Sequence, residues 1–460
     1  MTKTLKCISP IDGSVFATRE TLTREAAQKA ASRARSAQPL WAERPLKERI
    51  ELVMAGVAAV GAMNDEIVPE LAWMMGRPVQ YGGEFGGFQG RAAHMASIAQ
   101  SALADIEVSQ DDNFKRYIRR VPLGVVLVVA PWNYPYMTAI NTIAPALISG
   151  NTVILKHATQ TLLVGERMAR AFHSVGVPAA VFQNIFLDHK NTADLISSRT
   201  FDFINFTGSV GGGRAMEAAA AGTFAGLGLE LGGKDPGYVA EDADIDAAVE
   251  TLIDGAMFNS GQCCCGIERI YVHESLFDDF VSHATEKVGA YNLGNPLDLE
   301  TTLGPMASPR FAAEVRAQIA EAMATGAVAH IPTFEQDDGG AYLSPQVLTR
   351  VNHDMRVMRE ESFGPVVGIM PVRGDSEAIT LMNDSEFGLT ASIWTSDIER
   401  ASYVGDRIET GTVFMNRADF LDPELCWTGC KNTGRGGALS MIGYHNLTRP
   451  KSYHMKKVTR

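Results

Sequence analysis

The stretch best suited to chemistry holds three consecutive cysteines, Cys263, Cys264 and Cys265, just after Gly261 and Gln262. They are half of the six cysteines, and a disulfide framework would space its cysteines along the chain. A structural zinc site uses converging Cys-x2-4-Cys pairs, and we expect that three neighbours cannot all point at one ion. Alternate side chains of an extended segment share a face, so one thiol can act as a nucleophile in a cleft while its neighbours pack. Taken alone, the triplet also fits three small buried apolar side chains.

Two polar residues elsewhere could assist a cysteine nucleophile. Asn133 lies between Pro131 and Pro135, and the rigid backbone there would hold its amide ready as an oxyanion donor. Glu230 stands just before a Gly-Gly pair, and if buried, with a raised pKa, it could act as a general base. Taken singly, these residues also fit a local turn and a surface carboxylate at a domain junction.

Two further stretches could hold a nucleotide. The turn that contains Gly208, Ser209 and Gly213 follows a predicted strand and opens a helix, where backbone N–H groups attract phosphate. It does not match the Gly-x-Gly-x-x-Gly fingerprint, and many strand-to-helix turns are rich in glycine. Glu361 and Phe363 could hold a ribose and cover a ring, or they could belong to an ordinary loop and core.

Composition limits the class of protein. A chain of 460 residues predicts two or more domains, and 46% hydrophobic with 20% charged residues is typical of soluble globular proteins. A net charge of -12 argues against nucleic acid and against an anionic membrane surface as partners. The start of the chain has no apolar run of the signal-peptide kind, and the apolar stretch 121–132 is too short to span a bilayer. We therefore expect a cytoplasmic protein with reduced cysteines.

The order of predicted elements indicates an α/β fold. Helices are expected from Thr23 to about Gln38, over 46–63 and near 66–75, and two strands over 116–120 and 125–129 are expected to be joined by a turn. Strands then alternate with helices, first up to a Gly-Gly pair at 232–233 and again beyond it. This alternation predicts doubly wound, mostly parallel sheets in two units with a boundary near residue 232.

Taken together, these five stretches resemble the aldehyde dehydrogenase superfamily. The Pro-Trp-Asn-aromatic-Pro turn, the Gly-Ser turn, Glu-Leu-Gly-Gly-Lys, Gly-Gln-x-Cys and Glu-x-Phe-Gly-Pro occur here in the family's order. Glu230 precedes Cys264 by 34 residues and Glu361 follows it by 97, which is similar to the family's spacing. The Gly-Gln-x-Cys pattern selects Cys264 as the nucleophile, and not Cys263 or Cys265. The resemblance runs from the Pro-Ile-Asp-Gly stretch at 10–13 to Lys-x-Thr-Gly at 431–434.

The resemblance implies two doubly wound parallel-sheet domains and a small β oligomerisation arm. The cofactor-binding domain would comprise residues 1–111 and 131–232, the catalytic domain 233–435, and the arm 112–130 and 436–460. A homodimer or homotetramer follows from the same resemblance.

The implied reaction oxidises an aldehyde to a carboxylate with NADP or NAD. Cys264 attacks the carbonyl, Asn133 and the Cys264 backbone hold the oxyanion, and Glu230 activates water against the thioester. The implied cofactor-binding residues are Trp132, Lys156, Thr159, Gly208, Ser209, Gly213, Leu231, Glu361 and Phe363. The implied substrate pocket consists of Tyr134, Met137, Thr138, Asn141, Cys263, Cys265, Leu421 and Trp427. No metal is expected.

Three departures from the family pattern bear on specificity. Thr159 stands where many relatives place a Glu that repels a 2′-phosphate, so competence with NADP is favoured. The alternative is that Thr159 only caps a helix that begins there, with NAD held by Lys156 alone. Asn141 stands where some relatives have a Trp in the pocket. Ala438 replaces a Glu that some relatives carry near the tail, which leaves Glu230 as the proposed base.

Three other functions remain open at this stage. Acylating relatives transfer the acyl group to coenzyme A and need no base at Glu230. A non-catalytic structural or binding protein could keep the fold, although the catalytic residues are all present here. A metal protein could use Cys426 and Cys430 together with the triplet. The identity of the aldehyde stays open, because the loop 417–424 carries both Arg417 and acidic residues.

Overall fold

A computed structural model describes residues 2–457 of the chain. Residues 1 and 458–460, which fall in the predicted segments 1–111 and 436–460, lie outside it. The α-helices are α1 Arg24–Glu43, α2 Leu46–Gly61, α3 Asn64–Met75, α4 Phe85–Ala102, α5 Pro135–Ile148, α6 Leu162–Ser174, α7 His189–Ser197, α8 Val210–Ala220, α9 Ile245–Met257, α10 Phe277–Gly289, α11 Pro309–Ala324, α12 Arg356–Arg359, α13 Asp375–Asn383, α14 Ile398–Gly405 and α15 Ser440–Asn446. Single 3-10 turns cover Val79–Tyr81, Thr159–Thr161 and Phe258–Gly261.

The strands form two large sheets and three small ones. They are β1 Thr4–Ile8, β2 Val15–Glu20, β3 Ile106–Gln110, β4 Phe114–Pro122, β5 Val125–Val129, β6 Thr152–Lys156, β7 Phe182–Asn184, β8 Phe203–Thr207, β9 Gly226–Glu230, β10 Asp235–Val239, β11 Ile267–His273, β12 Val328–Ala329, β13 Gln346–Thr349, β14 Val366–Val372, β15 Phe387–Gly388, β16 Thr390–Trp394, β17 Thr412–Met415, β18 Cys430–Lys431, β19 Gly434–Arg435 and β20 Thr448–Lys456. The predicted α/β class with parallel sheets is confirmed.

The first large sheet has the order β19-β9-β8-β5-β6-β7. Strands β5 to β9 are parallel, and only β19 runs antiparallel, against β9. The chain starts at β5, moves outward through β6 and β7, and then returns to the other side of β5 through β8 and β9. This reversal makes the carboxyl ends of β5 and β8 a topological switch point, where open α/β sheets bind ligands.

The second large sheet has the order β12-β13-β14-β11-β10-β16-β17. It is parallel apart from β12, and apolar side chains cover both of its faces. Strand β9 ends at Glu230 in the first sheet and β10 starts at Asp235 in the second, so the chain changes sheet beside the predicted boundary at residue 232. Near its end the chain returns to the first sheet through β19, inside the predicted segment 233–435.

A third sheet has the order β20-β4-β3, and it corrects one sequence-based expectation. The strand Val125–Val129 was assigned to the arm 112–130, but it pairs with β6 and β8 in the first large sheet. All five of its residues are buried, as suits a central parallel strand, whereas β4 contains four charged residues and stays half-exposed. The small sheet instead begins with β3, at Ile106.

The predicted N-terminal helices are present. Thr23 caps α1 by accepting a hydrogen bond from the Ala26 N–H, and Gly76 ends α3 in the left-handed conformation with φ 85°. Among the described residues no single helix is long and apolar enough to cross a bilayer; α2 and α3 reach that length only as a pair bent by 67°.

Candidate active site

The candidate residues meet because the ends of strands from both large sheets face each other. At the carboxyl ends of β5, β6, β8 and β9 lie the Asn133 turn, Lys156, the Gly208 turn and Glu230. At the amino ends of β10, β11 and β14 lie the Gly-Gly-Lys segment, the cysteine triplet and the stretch from Glu361 to Phe363. Residues far apart in the sequence therefore surround one cleft between the sheets.

The backbone before the cysteines forms a tight turn. Asn259, Ser260 and Gly261 all adopt left-handed conformations, with φ of 55°, 56° and 68°. A side chain at Gly261 would run into the backbone of Gly364 and Pro365, so only glycine fits there. The Ser260 hydroxyl and the Gln262 side chain tie the turn to residues 304–307, at 2.7 and 2.8 Å. The turn thus fixes the position of Cys264.

The two flanking thiols point to one carboxylate. Cys263 and Cys265 donate to Oδ1 of Asp419 at 3.1 and 3.0 Å, and both are buried, whereas Cys264 is half-buried. Cys263 and Cys265 therefore share one face, as expected for alternate side chains. The expectation that all three sulfurs could not converge is wrong: they lie within 4.8 Å of one another, because Cys264 and Cys265 form a turn instead of a strand. Among residues 2–457, Cys426 and Cys430 do not join this cluster. The absence of a metal stays a prediction.

The surroundings of Cys264 favour its thiolate. Interactions with the thiols of Cys263 and Cys265, followed by the charge of Arg91, hold the pKa of Cys264 well below its ordinary value against the opposing effect of burial. The flanking cysteines show the opposite shift, since the pKa of each is raised. The middle sulfur is therefore the one that ionises first, as a nucleophile requires.

Glu230 is a carboxyl group with few partners. Burial, and next the nearby Cys264, raise the pKa of Glu230 to about 7. The Thr207 hydroxyl donates to its Oε2 at 3.3 Å, while Oε1 is buried without a partner among the described residues. A carboxyl with a pKa near neutrality and a free oxygen can take a proton from water.

Asn133 is held next to the cysteine turn by a buried ion pair. Its Nδ2 donates to the Gln262 carbonyl at 3.2 Å, and an amide nitrogen carries a second hydrogen for another acceptor. Arg77 donates to the Asn133 carbonyl at 2.5 Å and pairs with Glu84 at 2.7 Å. Glu84 also accepts the Tyr136 N–H at 2.9 Å, at the start of α5. The pair therefore joins α4, α5 and the cysteine turn.

Glu361 lies against the glycine pair that follows Glu230. The Gly233 N–H donates to Oε1 of Glu361 at 3.2 Å, and a side chain at Gly232 would overlap the same carboxylate. Burial, and next the charge of Glu268, raise the pKa of Glu361 to about 8. Beside it, buried Lys234 pairs with Glu268, whose Oε1 accepts the Phe363 N–H at 2.9 Å. This pair holds the loop that carries Glu361 and Phe363.

Trp132 joins the Asn133 turn to this loop. Its ring lies edge-on to Phe363 at 5.6 Å and is stacked on Phe311 at 5.4 Å. The predicted residues Trp132 and Phe363 therefore meet across the two sheets.

The remaining cofactor candidates lie at the carboxyl ends of β6 and β8, at the same edge of the first sheet. Burial lowers the pKa of Lys156 to about 8, and its Nζ donates to the adjacent His157 carbonyl at 3.1 Å. Thr159 opens a 3-10 turn but caps neither that turn nor α6, whose N-cap residues are Ala158 and Thr161. The alternative expectation that Thr159 serves as a helix cap is therefore wrong.

Ser209 and its glycines form the N-terminus of α8. The Ser209 hydroxyl accepts the Gly212 N–H at 3.2 Å as a helix cap, and it keeps its own hydrogen for another acceptor. The Gly208 N–H donates to the Glu230 carbonyl at 3.0 Å, and a side chain at Gly213 would strike Leu231 at 2.7 Å. The turn thereby packs α8 against the strand that ends at Glu230.

One cavity of about 300 Å³ opens beside Cys264 and Glu230. All eight residues assigned to the substrate pocket line it. Sequence reasoning missed Arg91 and Asp254, which also line it. Asp419, one of the acidic residues noted in the loop 417–424, lines it as well. Arg91 had one signal, since it lies three residues after buried Phe88 and four before buried Met95, on the apolar face of α4. The contact of Asp419 with the cysteines had no signal in the sequence, because it spans more than 150 residues.

Comparison with known proteins places the chain in a family. The model of the aldehyde dehydrogenase family matches residues 1–453. The chain belongs to this family. It is an NAD(P)-dependent aldehyde dehydrogenase, an oxidoreductase that converts an aldehyde to a carboxylate.

Three similar proteins illustrate the range of this dehydrogenase family. A succinate-semialdehyde dehydrogenase [NADP(+)] of Deinococcus radiodurans is 32% identical over 91% of this chain and 88% of its own length. A betaine aldehyde dehydrogenase of Rhizobium etli is 32% identical over 98% of this chain and 93% of its own length. The solved structure of a 3,6-anhydro-L-galactose dehydrogenase in complex with NAP has a TM-score of 0.93 and 28% identity, and the match covers 98% of this chain and 96% of that one.

Proposed function

We propose that Cys264, Asn133 and Glu230 carry out the oxidation, through a thioester on Cys264 that water then hydrolyses. The observation that supports this assignment is the pair of opposed pKa shifts at one cavity. The pKa of Cys264 is lowered, so a thiolate is available, and the pKa of Glu230 is raised to about 7, so a base is available near neutral pH. Groups shifted apart in this way indicate separate acid–base roles.

The thiolate of Cys264 attacks the aldehyde carbonyl and forms a thiohemiacetal. The unused hydrogen of the Asn133 amide and the Cys264 backbone N–H donate to the developing oxyanion. The buried pair of Arg77 and Glu84 keeps the Asn133 turn in place, so the donor needs no reorganisation during the reaction. The flanking thiols stay on Asp419 and leave the reaction to Cys264.

Glu230 acts in the second half of the reaction. Its partner-free Oε1 takes a proton from a water molecule, which attacks the thioester carbonyl and releases the carboxylate. Transfer of the acyl group to coenzyme A would need no base here. A buried carboxyl with a pKa near 7 therefore favours hydrolysis over acyl transfer.

The cleft fits a nicotinamide dinucleotide, which accepts the hydride when bound. The switch point of the first sheet and the N-terminus of α8 suit an extended nucleotide. Glu361 would hold a ribose, with Phe363 and Trp132 near the ring. Lys156, Thr159, Ser209 and the glycines Gly208 and Gly213 would hold the adenosine end, with Leu231 packed beneath the turn.

The residues proposed to hold the adenosine end of the cofactor favour the use of NADP. Lys156 offers a buried cation, and Thr159 offers a hydroxyl in place of an acid that would repel a 2′-phosphate. Two relatives agree with this in their names, since one dehydrogenase is described with NADP(+) and another in complex with NAP.

The three-stranded sheet serves subunit contact in a homodimer or homotetramer. Strand β3 is exposed along its whole length, with Ile106 and Val108 52% and 59% exposed, and an uncovered edge strand can pair with another chain. Tyr117 and Tyr453 stack at 4.5 Å across β4 and β20 and stiffen the sheet. Six free cysteines fit the reducing conditions of the cytoplasm.

The proposed function is tested by oxidation of an aldehyde panel with NADP and with NAD, followed at the absorbance band of the reduced cofactor. The parent protein should reduce cofactor only with an aldehyde present, and the product should be the carboxylate. Formation of a coenzyme A thioester, or no reduction with any aldehyde, would contradict the proposal.

A further inference from the structure

Arg91 places a positive charge on the wall of the substrate cavity. The residue lies on α4 and faces α5, and its Nη1 donates to the Met137 carbonyl at 2.9 Å and to Oδ1 of Asn141 at 3.3 Å. Both acceptors are uncharged, and within residues 2–457 Arg91 takes part in no ion pair. Its neighbour Arg77 differs, because it pairs with Glu84 in the same region.

Arg91 and Asn141 have more hydrogen-bond donors than the surrounding protein has acceptors for them. A guanidinium has five N–H groups in a planar fork, and oxygens of the described residues engage only Nη1. Asn141 is 1% exposed, and its Nδ2 has no hydrogen-bond partner among the described residues. Buried donors without partners are costly, and both side chains line the cavity. Together they form a site whose free donors suit a negatively charged hydrogen-bond acceptor.

Three acidic residues also line the cavity, and among the described residues none of them forms an ion pair with Arg91. Asp419 accepts from the thiols of Cys263 and Cys265. Asp254 is exposed, and Glu230 is the base of the proposed reaction. Among the cavity-lining residues that the structure describes, Arg91 is the one cation.

We propose that the aldehyde carries a carboxylate at its far end, and that Arg91 and Asn141 bind this carboxylate. The guanidinium fork matches a carboxylate with two parallel hydrogen bonds, and the Asn141 amide supplies a third donor. The relatives do not decide the matter, since one is named for an anionic semialdehyde and another for betaine aldehyde, a cation. The assignment rests on the proposed oxidation at Cys264.

The carbon chain between the two ends of the substrate is short. Arg91 and Cys264 line the same cavity of about 300 Å³, so a substrate that reaches from one to the other is small. A four-carbon aldehyde with a terminal carboxylate is therefore the first probe. Its amide has the same shape without the charge, and 4-aminobutanal carries the opposite charge.

The experiment compares kcat/KM for these three aldehydes in the parent, Arg91→Lys, Arg91→Met and the surface control Arg373→Met. The parent should prefer the carboxylate to the amide by at least about tenfold, as expected for hydrogen bonds to a charged group. Arg91→Met should lose about 10- to 100-fold more with the carboxylate than with the amide, mainly through KM, whereas any effect of the lost charge on Cys264 is common to all three aldehydes. With the carboxylate, the kcat/KM of Arg91→Lys should lie between those of the parent and Arg91→Met, because lysine keeps the charge without the planar fork.

Equal use of the carboxylate and the amide by the parent, or a preference for the amine, would overturn the assignment while leaving the oxidation itself intact. Butanedioate and butanediamide serve as inhibitors that differ in charge. The assignment would also be overturned if Arg91→Met lost activity equally with all three aldehydes and both compounds inhibited the parent equally. Competitive inhibition by butanedioate alone supports it even where Arg91→Met fails to fold. If none of the aldehydes of the full panel is oxidised, the proposed function itself fails.

Discussion

The Thr207 hydroxyl donates to Oε2 of Glu230 at 3.3 Å, and this bond leaves the opposite carboxylate oxygen without a partner beside the cavity. Thr207 ends β8 and Glu230 ends β9, and the two residues are neighbours in register. The position of the base therefore follows from strand pairing.

The first prediction concerns pH. Because the pKa of Glu230 is raised to about 7, the group keeps its proton below that pH and cannot act as a base. Thioester hydrolysis should rise about tenfold per pH unit up to 7 and then level off. Single-turnover rates with preformed acyl-enzyme measure this step. Thr207→Val removes a hydrogen bond that lowers the pKa, so its midpoint should move upward; a hydrolysis rate that does not change with pH would contradict the assignment.

The second prediction separates the three cysteines. Cys264→Ala should abolish oxidation, since no other group forms the thioester. Cys263→Ala and Cys265→Ala should keep turnover but raise the pH at which Cys264 is alkylated, because each removes a thiol that favours the Cys264 thiolate. Alkylation rates against pH, with mass mapping of the modified residue, give the readout. An active Cys264→Ala protein beside an inactive flanking variant would mean that the nucleophile is misassigned.

The third prediction concerns cofactor choice at Thr159. A carboxylate there would lie close to a 2′-phosphate, and the repulsion costs on the order of 1 kcal/mol even in a wet site. Thr159→Glu should lower the NADP-to-NAD ratio of kcat/KM about tenfold. Thr159→Gln has the same shape without the charge and should change the ratio little. A parent that cannot use NADP, or an unchanged ratio in Thr159→Glu, would show that another residue controls the choice.

Much of the site follows from the sequence, because chemistry-bearing residues stand at fixed points in their local motifs. Asn133 between two prolines, Ser209 in a glycine-rich turn and Glu230 before a glycine pair all lie at the ends of parallel strands. The sheet of Val125–Val129 was assigned wrongly, since a short apolar run does not reveal its partners. Arg91, the Arg77–Glu84 pair and the bond between Cys263 and Asp419 were not predicted, because these contacts depend on tertiary packing.

The fourth prediction addresses the support of Asn133. Glu84→Gln leaves Arg77 charged and buried without its partner, which should lower the free energy of unfolding by about 3 kcal/mol. It should also reduce kcat, because the Asn133 turn loses its anchor. Thermal unfolding and steady-state kinetics measure the two effects. Glu377→Gln breaks the exposed pair with Arg373 and serves as the control, for which neither value should change. If Glu84→Gln, like the control, changed neither the free energy of unfolding nor kcat, the anchoring role would be contradicted.

The most direct test of the mechanism is a rapid-mixing experiment on Glu230→Gln. The substitution keeps the shape and the Thr207 hydrogen bond but removes the base. The account predicts a burst of reduced cofactor that approaches one equivalent per active site and then stops, with an acyl group on Cys264 detected by mass spectrometry. Steady turnover at the parent rate, or an acyl group on Cys263 or Cys265, would contradict it.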